Sequence, residues 1–331
     1  MNIIEKNLEI KKEIDLIKAS AFLNELLKDY PINFRDSAKI VVSELATNIL
    51  KNANSGKLNI FMDNEKIIIK TFNIGKLSIF DFIDGISNKS TLGVGLGVAG
   101  RSSDEFYYTL TPVEITWIKY LNLKPKNRFA VATKVEPLIF AGCGDRIIKV
   151  EQPSFIFIAL LDVAGHGRAA GEVAHTISKF IENHYYLELS DLMQCLVEYM
   201  KDVDRRFVVE FLKLWKTKEQ FEFCGVGDVS CKIFYNDINT NTPDLFRDDY
   251  ERLITKNGVL GGKKQDWMKN FLVIRKDIPK NAFIVMFSDG ISSSIKLDRE
   301  HFNKSPQQII DDLFNKYKKE DDRSLVIIKC S

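Results

Sequence analysis

The chain has 331 residues, of which 45% are hydrophobic and 28% are charged, as is typical of a soluble globular protein. Its 47 basic and 45 acidic residues give a net charge of +2, which argues against nucleic acid or a membrane as the partner. Five scattered cysteines without CxxC spacing indicate reduced thiols instead of disulfides or a zinc site. Because no apolar run reaches the roughly 18 residues of a membrane span and the N-terminus does not resemble a signal peptide, we predict a cytoplasmic protein.

Residues 1–122 alternate between helical and strand patterns, which predicts an α/β sandwich of ordinary domain size. Apolar residues at helical spacing follow Asp15 and Asn33, and two apolar runs flank the turn residues Asp63 and Asn64. The expected elements are an edge strand at 7–14, helices at 15–30 and 33–53, a hairpin around 63–64, a short helix near 79–86 and a strand at 114–121.

A polar segment at 122–127 predicts a short linker to a second domain, residues 123–331. Strand-like runs come first in this domain, two long helical patterns follow, and further strand-like runs complete it. This order predicts an α+β sandwich whose sheets carry helices on their outer faces. The helices are expected at 169–182 and 190–214, and the later strands at 221–235, 271–278, 282–290 and 324–330.

The stretch from 155 to 174 is the most informative part of the second domain. The apolar run FIFIALL ends at Asp162, glycines follow at Gly165 and Gly167, and helical spacing then begins. A carboxylate at the mouth of a buried strand is costly unless it is paired, and a metal ion is a common partner. A solvated turn aspartate is the alternative interpretation.

Three further acids stand beside apolar strands in the same way. Oxygen ligands from strand ends, without clusters of histidine or cysteine, suit Mg²⁺ or Mn²⁺. Two such ions can lower the pKa of a shared water and direct it at a phosphoryl group. Four unrelated turn acids are the alternative. The four positions are Asp145 in GCGDR, Asp162 in LLDVAGHG, Asp289 in VMFSDG and Asp321, with Asp322 beside it, in DDRS.

The order GD, DVAGHGxxAxxxA, SDG and DDxS resembles the metal-dependent Ser/Thr protein phosphatases (PPM), and it is most similar to their bacterial SpoIIE-like branch. The resemblance spans the second domain and implies a β-sandwich flanked by helices, with two Mn²⁺ or Mg²⁺ ions. By motif position, Asp145 and Asp289 resemble metal ligands, Asp162 the acid that bridges both ions, and Asp321 the last ligand. The backbone carbonyl of Val163 matches a ligand position where the family usually has glycine. Asp162 and Asp289 are the expected catalytic acids.

Other polar residues near these motifs carry weaker hypotheses. Histidine is a residue type that often serves as a general acid, which makes His166 a candidate, but related eukaryotic enzymes place their histidine closer to the bridging acid, where this chain has Ala164. We therefore favour a turn or supporting role for His166. Arg146 and Arg323 adjoin proposed ligands and are candidates for phosphate binding, with ordinary surface arginines as the alternative.

A glycine-rich stretch and a helical acid–amide pair stand out in the first domain. Glu44 and Asn48, at i and i+4, share one helical face and could orient water and Mg²⁺, although from the residues alone a solvated helix face is the favoured interpretation. A glycine loop that precedes a helix can bind phosphates through its backbone amides. The glycines of this stretch are Gly93, Gly95, Gly97 and Gly100.

In this order, VSELATNILKNA and the glycine stretch resemble the anti-sigma-factor and switch-protein kinases of the GHKL ATPase superfamily. The resemblance implies that Glu44 is a general base, that Asn48 is a Mg²⁺ ligand and that residues 93–100 cover the phosphates of ATP. The family's adenine-binding aspartate is replaced by Thr71, so that only Gly75 of that turn remains, with Asn73 as a substitute polar group. Loss of that carboxylate weakens adenine recognition by about 1–3 kcal/mol. We expect weakened ATP binding, and kinase turnover is left in question.

These observations lead to one main hypothesis and two rivals. The main one is a phosphoserine/phosphothreonine phosphatase that acts on a bacterial regulatory phosphoprotein of the anti-sigma-factor-antagonist type, with the first domain as a docking or regulatory module. The rivals are a bifunctional kinase and phosphatase, and a non-catalytic module that sequesters a regulator. A homodimer is left open by the sequence.

Overall fold

The structure, a computed structural model, describes residues 3–53, 55–72, 75–83, 95–123, 128–140, 142–235, 250–262 and 270–331. The chain forms two compact units. One comprises residues 1–124 together with 186–191, and the other comprises residues 125–185 and 192–331. Within the described ranges, no helix is long and apolar enough to cross a membrane.

The first unit is an antiparallel five-stranded sheet with helices packed on it, in the order β1-β2-β3-β5-β4. Its long second helix buries the predicted apolar face, because Ala38, Val41 and Leu45 are all fully buried. The α/β sandwich predicted here is therefore observed, whereas its identification as GHKL-type stays a prediction. The elements are β1 (Ile4–Ile10), α1 (Glu13–Leu26), α2 (Ile32–Asn52), β2 (Gly56–Met62), β3 (Lys66–Phe72), α3 (Gly95–Ser102), β4 (Glu105–Leu110) and β5 (Val113–Tyr120).

Three expectations for this unit need correction. The edge strand expected at 7–14 is β1 at Ile4–Ile10, and residues 13 and 14 belong to α1. Helix α1 starts at Glu13, and Asp15 lies inside its first turn, where its carboxylate accepts hydrogen bonds from the amides of Lys11 and Lys12, both 3.1 Å long. An acid at this position can cap a helix from within, so that it does not mark the helix start. The short helix expected near 79–86 is a 3₁₀ turn at Ile79–Phe82, and its last three expected residues lie outside the described ranges.

The second unit contains two five-stranded antiparallel sheets. One has the strand order β13-β10-β9-β8-β7, and the other has the order β12-β11-β14-β15-β6. The strands are β6 (Phe129–Glu136), β7 (Arg146–Glu151), β8 (Phe155–Val163), β9 (Phe207–Trp215), β10 (Gln220–Val226), β11 (Ser230–Tyr235), β12 (Tyr250–Leu253), β13 (Ile274–Asp277), β14 (Ala282–Phe287) and β15 (Arg323–Cys330).

The two sheets pack face to face around a shared apolar core. Ile158 and Leu160 of β8 meet residues such as Ile284 and Val326 of the opposite sheet in this core. Helix α4 (Arg168–His184) packs on β7 and β8, and helix α6 (Pro306–Leu313) packs on β6 and β15. A β-sandwich flanked by helices, as predicted, is therefore observed.

The helix expected at 190–214 is wrong in its second half. Helix α5 covers only Leu189–Tyr199, and residues Phe207–Trp215 form β9, a strand between β8 and β10 whose nine residues are all buried. A strand covered on both faces carries apolar residues at nearly every position, so its period resembles that of a buried helix.

Candidate functional site

The four acids singled out in the second domain all lie at ends of strands. The burial pattern of β8 shows how one of them is aimed: Ile158 and Leu160 point into the core between the sheets, and by alternation Asp162 points the same way. In chain order, Asp145 directly precedes β7, Asp162 is the penultimate residue of β8, Asp289 follows β14 by two residues and Asp321 precedes β15 by two.

Asp145 is the most deeply buried of these acids. Its exposed fraction is 0%, and among the described residues neither carboxylate oxygen has a hydrogen-bond partner. Burial raises the pKa of Asp145 to about 7. The hydroxyls of Ser288 and Ser324 lie near enough to offset part of this rise, but they are not in hydrogen-bonding geometry. A buried polar group of this kind is costly in a folded protein and points to a missing partner.

Asp162 stands among the other acids. Burial raises its pKa to about 8, and repulsion from Asp145, Asp289, Asp321 and Asp228 adds to the rise. Burial also raises the pKa of Asp289, with repulsion from Asp321 and Asp228, while a hydrogen bond with Asp162 partly opposes the rise. The structure thus brings the four sequence-predicted acids within electrostatic reach of one another at one end of the sandwich.

Asp228 is a fifth member of this acidic cluster that the sequence analysis did not include. It lies in the turn between β10 and β11, and its charge raises the pKa of both Asp162 and Asp289. The available signal was the sequence GVGDVS, an apolar strand followed by glycine and an acid. It has the same pattern as the other strand-end acids.

The donor set fits a hard divalent cation in its chemistry. All five side chains offer carboxylate oxygens, and one of them is buried without a partner, which a cation would provide. In the part of the chain that the structure describes, no three His, Cys, Asp or Glu side chains already converge as a metal ligand set. The acids therefore lie near one another without forming a complete set of metal ligands among the described residues.

The backbone around Val163 is shaped by glycines. A Cβ atom on Gly144 would lie 2.5 Å from the Val163 carbonyl oxygen, and the Val163 amide donates to the Gly144 carbonyl at 3.3 Å. Gly165 and Gly167 have φ values of +84° and +79°, which turn the chain sharply from β8 into α4. The predicted strand, glycine turn and helix are confirmed here.

The three remaining candidates near the acids are placed differently. His166 is exposed on the turn after β8. The Arg146 guanidinium donates to the carbonyls of Cys143 and Asp145, at 2.9 and 2.8 Å. Arg323 forms an ion pair with Glu136 at 2.6 Å. Both arginines therefore have protein partners, Arg146 in the segment before β7 and Arg323 on the neighbouring strand β6.

In the first unit, Glu44 and Asn48 are half-buried on α2. A Cβ atom on Gly95, the first residue of α3, would lie 1.9 Å from Glu44 Oε2, so the carboxylate lies against the start of that helix. Gly95, Gly97 and Gly100 are part of α3 and not of a loop. Gly100 faces the Tyr186 ring, 2.2 Å from where its Cβ would be.

The predicted adenine-side residues are described in part. Gly75 has φ +89° and lies against the Asn52 carbonyl, where a Cβ would be 2.1 Å away. Thr71 is fully buried, and its hydroxyl donates to the Ile115 carbonyl at 3.5 Å. Asn73 and Gly93 lie outside the described residues. The cofactor role of these positions stays a prediction.

No protein-family model matches the chain, and no curated protein is similar to it. Among solved structures, the chain is similar to RsbX in complex with magnesium, with a TM-score of 0.51 and 18% identity over 63% of this chain and 99% of that one. It is also similar to the phosphatase domain and regulatory fragment of SpoIIE from Bacillus subtilis (TM-score 0.47, 12% identity, 96% and 94% covered). The SiaA PP2C domain of Pseudomonas aeruginosa gives a TM-score of 0.48 and 12% identity, with 61% and 86% covered. The similarity to RsbX shows that most of the chain has a PP2C-type fold.

Proposed function

We propose that the second unit is a metal-dependent protein serine/threonine phosphatase. The observation that carries this proposal is the acidic cluster at one end of a PP2C-type sandwich, in which Asp145 is buried without a hydrogen-bond partner among the described residues. Such an arrangement is unfavourable for stability, because each carboxylate repels its neighbours in a site of restricted solvent. It becomes favourable when divalent cations bind.

The proposed ligands are oxygens that come from both sheets. Asp145, Asp162 and the Val163 carbonyl belong to one sheet, and Asp289 and Asp321 to the other. Bound Mn²⁺ or Mg²⁺ supplies charge that neutralises phosphoryl oxygens and lowers the pKa of water. Asp162, which the charges of the other acids surround, is the proposed bridging ligand, and Asp289 is its partner from the opposite sheet.

The protein's own residues would hold this cluster rigidly and shield one side of it from water. The floor is apolar, since Leu160 and Met286, the core residues that precede the acids on β8 and β14, are fully buried. A substrate must therefore approach from the open end, where Asp289 and Asp321 are the more exposed acids. An exposed phosphoserine or phosphothreonine on another protein is the type of substrate that suits such an end.

Hydrolysis of a phosphoserine peptide in the presence of Mn²⁺ tests the proposal. We expect Asp162→Asn and Asp289→Asn to abolish turnover, whereas the matched control Asp311→Asn should not, because Asp311 is exposed on α6 and contacts Gln307. Full activity in both cluster variants would reject the metal assignment. An inactive wild-type protein with saturating Mn²⁺ that still binds a regulator would favour the non-catalytic rival.

For the substrate, we propose a bacterial regulatory phosphoprotein of the anti-sigma-factor-antagonist type, on the strength of the SpoIIE-like motif order. In this proposal the first unit serves as a docking module for the substrate protein or as a regulatory module for the phosphatase. A nucleotide-linked role for this unit is supported by the position of Glu44, whose carboxylate lies against the start of α3. Asn48 lies one turn further along the same helix as Glu44. Thr71 offers no carboxylate for adenine, which weakens the case for kinase turnover. Transfer of labelled γ-phosphate to a partner, lost in Asn48→Ala, would favour the bifunctional rival.

A further inference from the structure

The side chain of Asp322 is buried, whereas that of its neighbour Asp321 is exposed. Asp322 is 3% exposed, and both of its carboxylate oxygens accept hydrogen bonds from backbone amides. Oδ1 accepts from the Leu138 amide at 2.7 Å, and Oδ2 accepts from the Gly144 amide at 2.6 Å. Both amides belong to the connection between β6 and β7, so Asp322 holds that connection at two points.

The second of these amides belongs to a residue that the site depends on. Gly144 directly precedes Asp145, and its carbonyl accepts a hydrogen bond from the Val163 amide at 3.3 Å. It has no room for a side chain, because a Cβ would lie 2.5 Å from the Val163 carbonyl oxygen and 3.0 Å from that of Gly165. The position of Gly144 therefore fixes two proposed ligands, the carboxylate of Asp145 and the carbonyl of Val163.

The backbone of Asp322 contacts the other two ligand segments. Its amide donates to Asp321 Oδ1 at 2.8 Å. Its carbonyl oxygen lies 2.0 Å from where a Cβ of Gly290 would be, so the chain immediately after Asp289 packs directly on it. One residue thus touches the segments that carry Asp145, Asp289 and Asp321.

The charge of Asp322 is unfavourable for its neighbours. It repels the buried carboxylate of Asp145, and it adds to the negative charge of an end that already has five acids. Hydrogen bonds from amides to a carboxylate are strong, and a carboxylate can accept on both oxygens at once, which an amide or hydroxyl side chain cannot do. The geometry accounts for an acid here that electrostatics alone would disfavour.

We propose that Asp322 is a positioning residue that sets the spacing of the metal ligands without binding metal itself. The proposal rests on the proposed function of the second unit. Both carboxylate oxygens of Asp322 already accept hydrogen bonds from backbone amides. The residue contacts the segment between β6 and β7, the chain just after β14 and the start of β15. Groups that orient metal ligands in this way typically affect metal affinity by about 10- to 100-fold.

The test compares Asp322→Asn with Asp311→Asn in the full chain. The asparagine side chain keeps one acceptor and places an NH₂ group against the second amide, so one of the two hydrogen bonds must break. Mn²⁺ affinity is measured by titration calorimetry, and kcat and KM for 4-nitrophenyl phosphate are measured as a function of Mn²⁺ concentration. We expect at least about tenfold weaker Mn²⁺ binding in Asp322→Asn. Turnover should recover at high Mn²⁺, and KM should stay unchanged at saturating metal.

The outcomes separate this inference from the proposed function. Wild-type Mn²⁺ affinity in a folded Asp322→Asn variant overturns the inference and leaves the phosphatase proposal standing. A wild-type protein that neither binds Mn²⁺ nor hydrolyses phosphate esters overturns both. If Asp322→Asn does not fold, hydrogen exchange of the wild-type protein decides. Slow exchange of the Leu138 and Gly144 amides before Mn²⁺ is added supports their hydrogen bonds to Asp322 and so the positioning role, and unprotected exchange overturns it.

Discussion

The acidic end of the second unit and the glycine-rich region of the first were both singled out by sequence motifs, but the structure treats them differently. In the first unit, Gly100 packs against a buried tyrosine and the Thr71 hydroxyl has a backbone acceptor. At the acidic end, by contrast, Asp145 is buried without a hydrogen-bond partner among the described residues. Packing and satisfied hydrogen bonds are enough to explain the first set of residues. The second set lowers stability and therefore calls for a ligand.

Buried acids that repel one another are therefore a stronger sign of function than a motif match. Glycines recur wherever a backbone is closely approached by its neighbours. The glycines of α3 are approached in this way, so close packing alone explains their presence. Repelling acids have no comparable structural use. The glycine and histidine variants below test the two sides of this contrast, and Glu210 provides a buried acid outside the cluster for comparison.

The largest effect should come from Gly144→Ala. The new Cβ would lie 2.5 Å from the Val163 carbonyl oxygen, a backbone atom that cannot move without moving β8. Because misplacement of reacting groups by about 1 Å can lower rates by about 100-fold, we expect at least that loss in kcat/KM for a phosphoserine peptide. The variant should also bind Mn²⁺ more weakly.

Gly171→Ala in α4 is the matched control for this change. Its Cβ would meet atoms of Cys143 and Gly142 at 3.4 Å or more, close to ordinary van der Waals contact. We expect wild-type activity within about twofold and a change in the free energy of unfolding below about 1 kcal/mol. Equal activity in both glycine variants would contradict the close packing that we assign to the site.

The next effect concerns a carboxyl group of the second unit outside the acidic cluster. Glu210 on β9 is fully buried, and in the described ranges neither of its carboxylate oxygens has a hydrogen-bond partner. Burial raises the pKa of Glu210 to about 8, with the charge of Arg252 as a small opposing effect. In the unfolded chain the pKa returns to about 4.3, so the free energy of unfolding should fall as the pH rises between these two values.

Glu210→Gln removes this ionisation. We expect the variant and the wild type to be similarly stable near pH 4.5, and the variant to be more stable by a few kcal/mol near pH 8. Urea unfolding at several pH values measures the difference. The control is Glu222→Gln on the adjacent strand, whose carboxylate accepts from Trp215 Nε1 at 3.1 Å and should not show this gain. A difference that does not depend on pH would contradict a neutral Glu210.

A smaller effect, with an unusual sign, is expected for Gly100→Ala in α3. Glycine to alanine inside a helix normally adds up to about 1 kcal/mol of stability. Here the Cβ would lie 2.2 Å from the Tyr186 ring, which is held in place because its hydroxyl donates to the Phe82 carbonyl at 2.9 Å. We expect a loss of about 1–3 kcal/mol, seen as a lower Tm with or without ATP. Normal stability with lost ATP binding would instead support a nucleotide role for this glycine.

Much of this picture could be predicted from local patterns. The strand that carries Asp162, the glycine turn and α4 follow from an apolar run, two glycines and helical spacing within 30 residues of sequence. Strand β9 could not be recognised, because it is buried on both faces and its nearly continuous apolar sequence is also typical of a buried helix. The role of Asp322 was hidden for another reason. Its amide partners, Leu138 and Gly144, are 184 and 178 residues away in the chain, and only the folded sandwich brings them together.

The smallest effect should come from His166, the residue that most resembles a general acid by type. It is exposed on the turn after β8, whereas Asp145 is buried and Asp162 is half-buried. General acid–base catalysis typically contributes about 100- to 10,000-fold, so a change of less than about threefold in kcat for His166→Ala would separate a turn residue from a proton donor. The measurement uses a phosphoserine peptide, whose poor leaving group needs protonation, and follows kcat from pH 5.5 to 9. We expect His166→Ala to keep the wild-type pH profile. A loss of 100-fold, or loss of the fall in kcat at high pH where a proton donor loses its proton, would make His166 part of the chemistry and would extend the catalytic site beyond the acidic cluster.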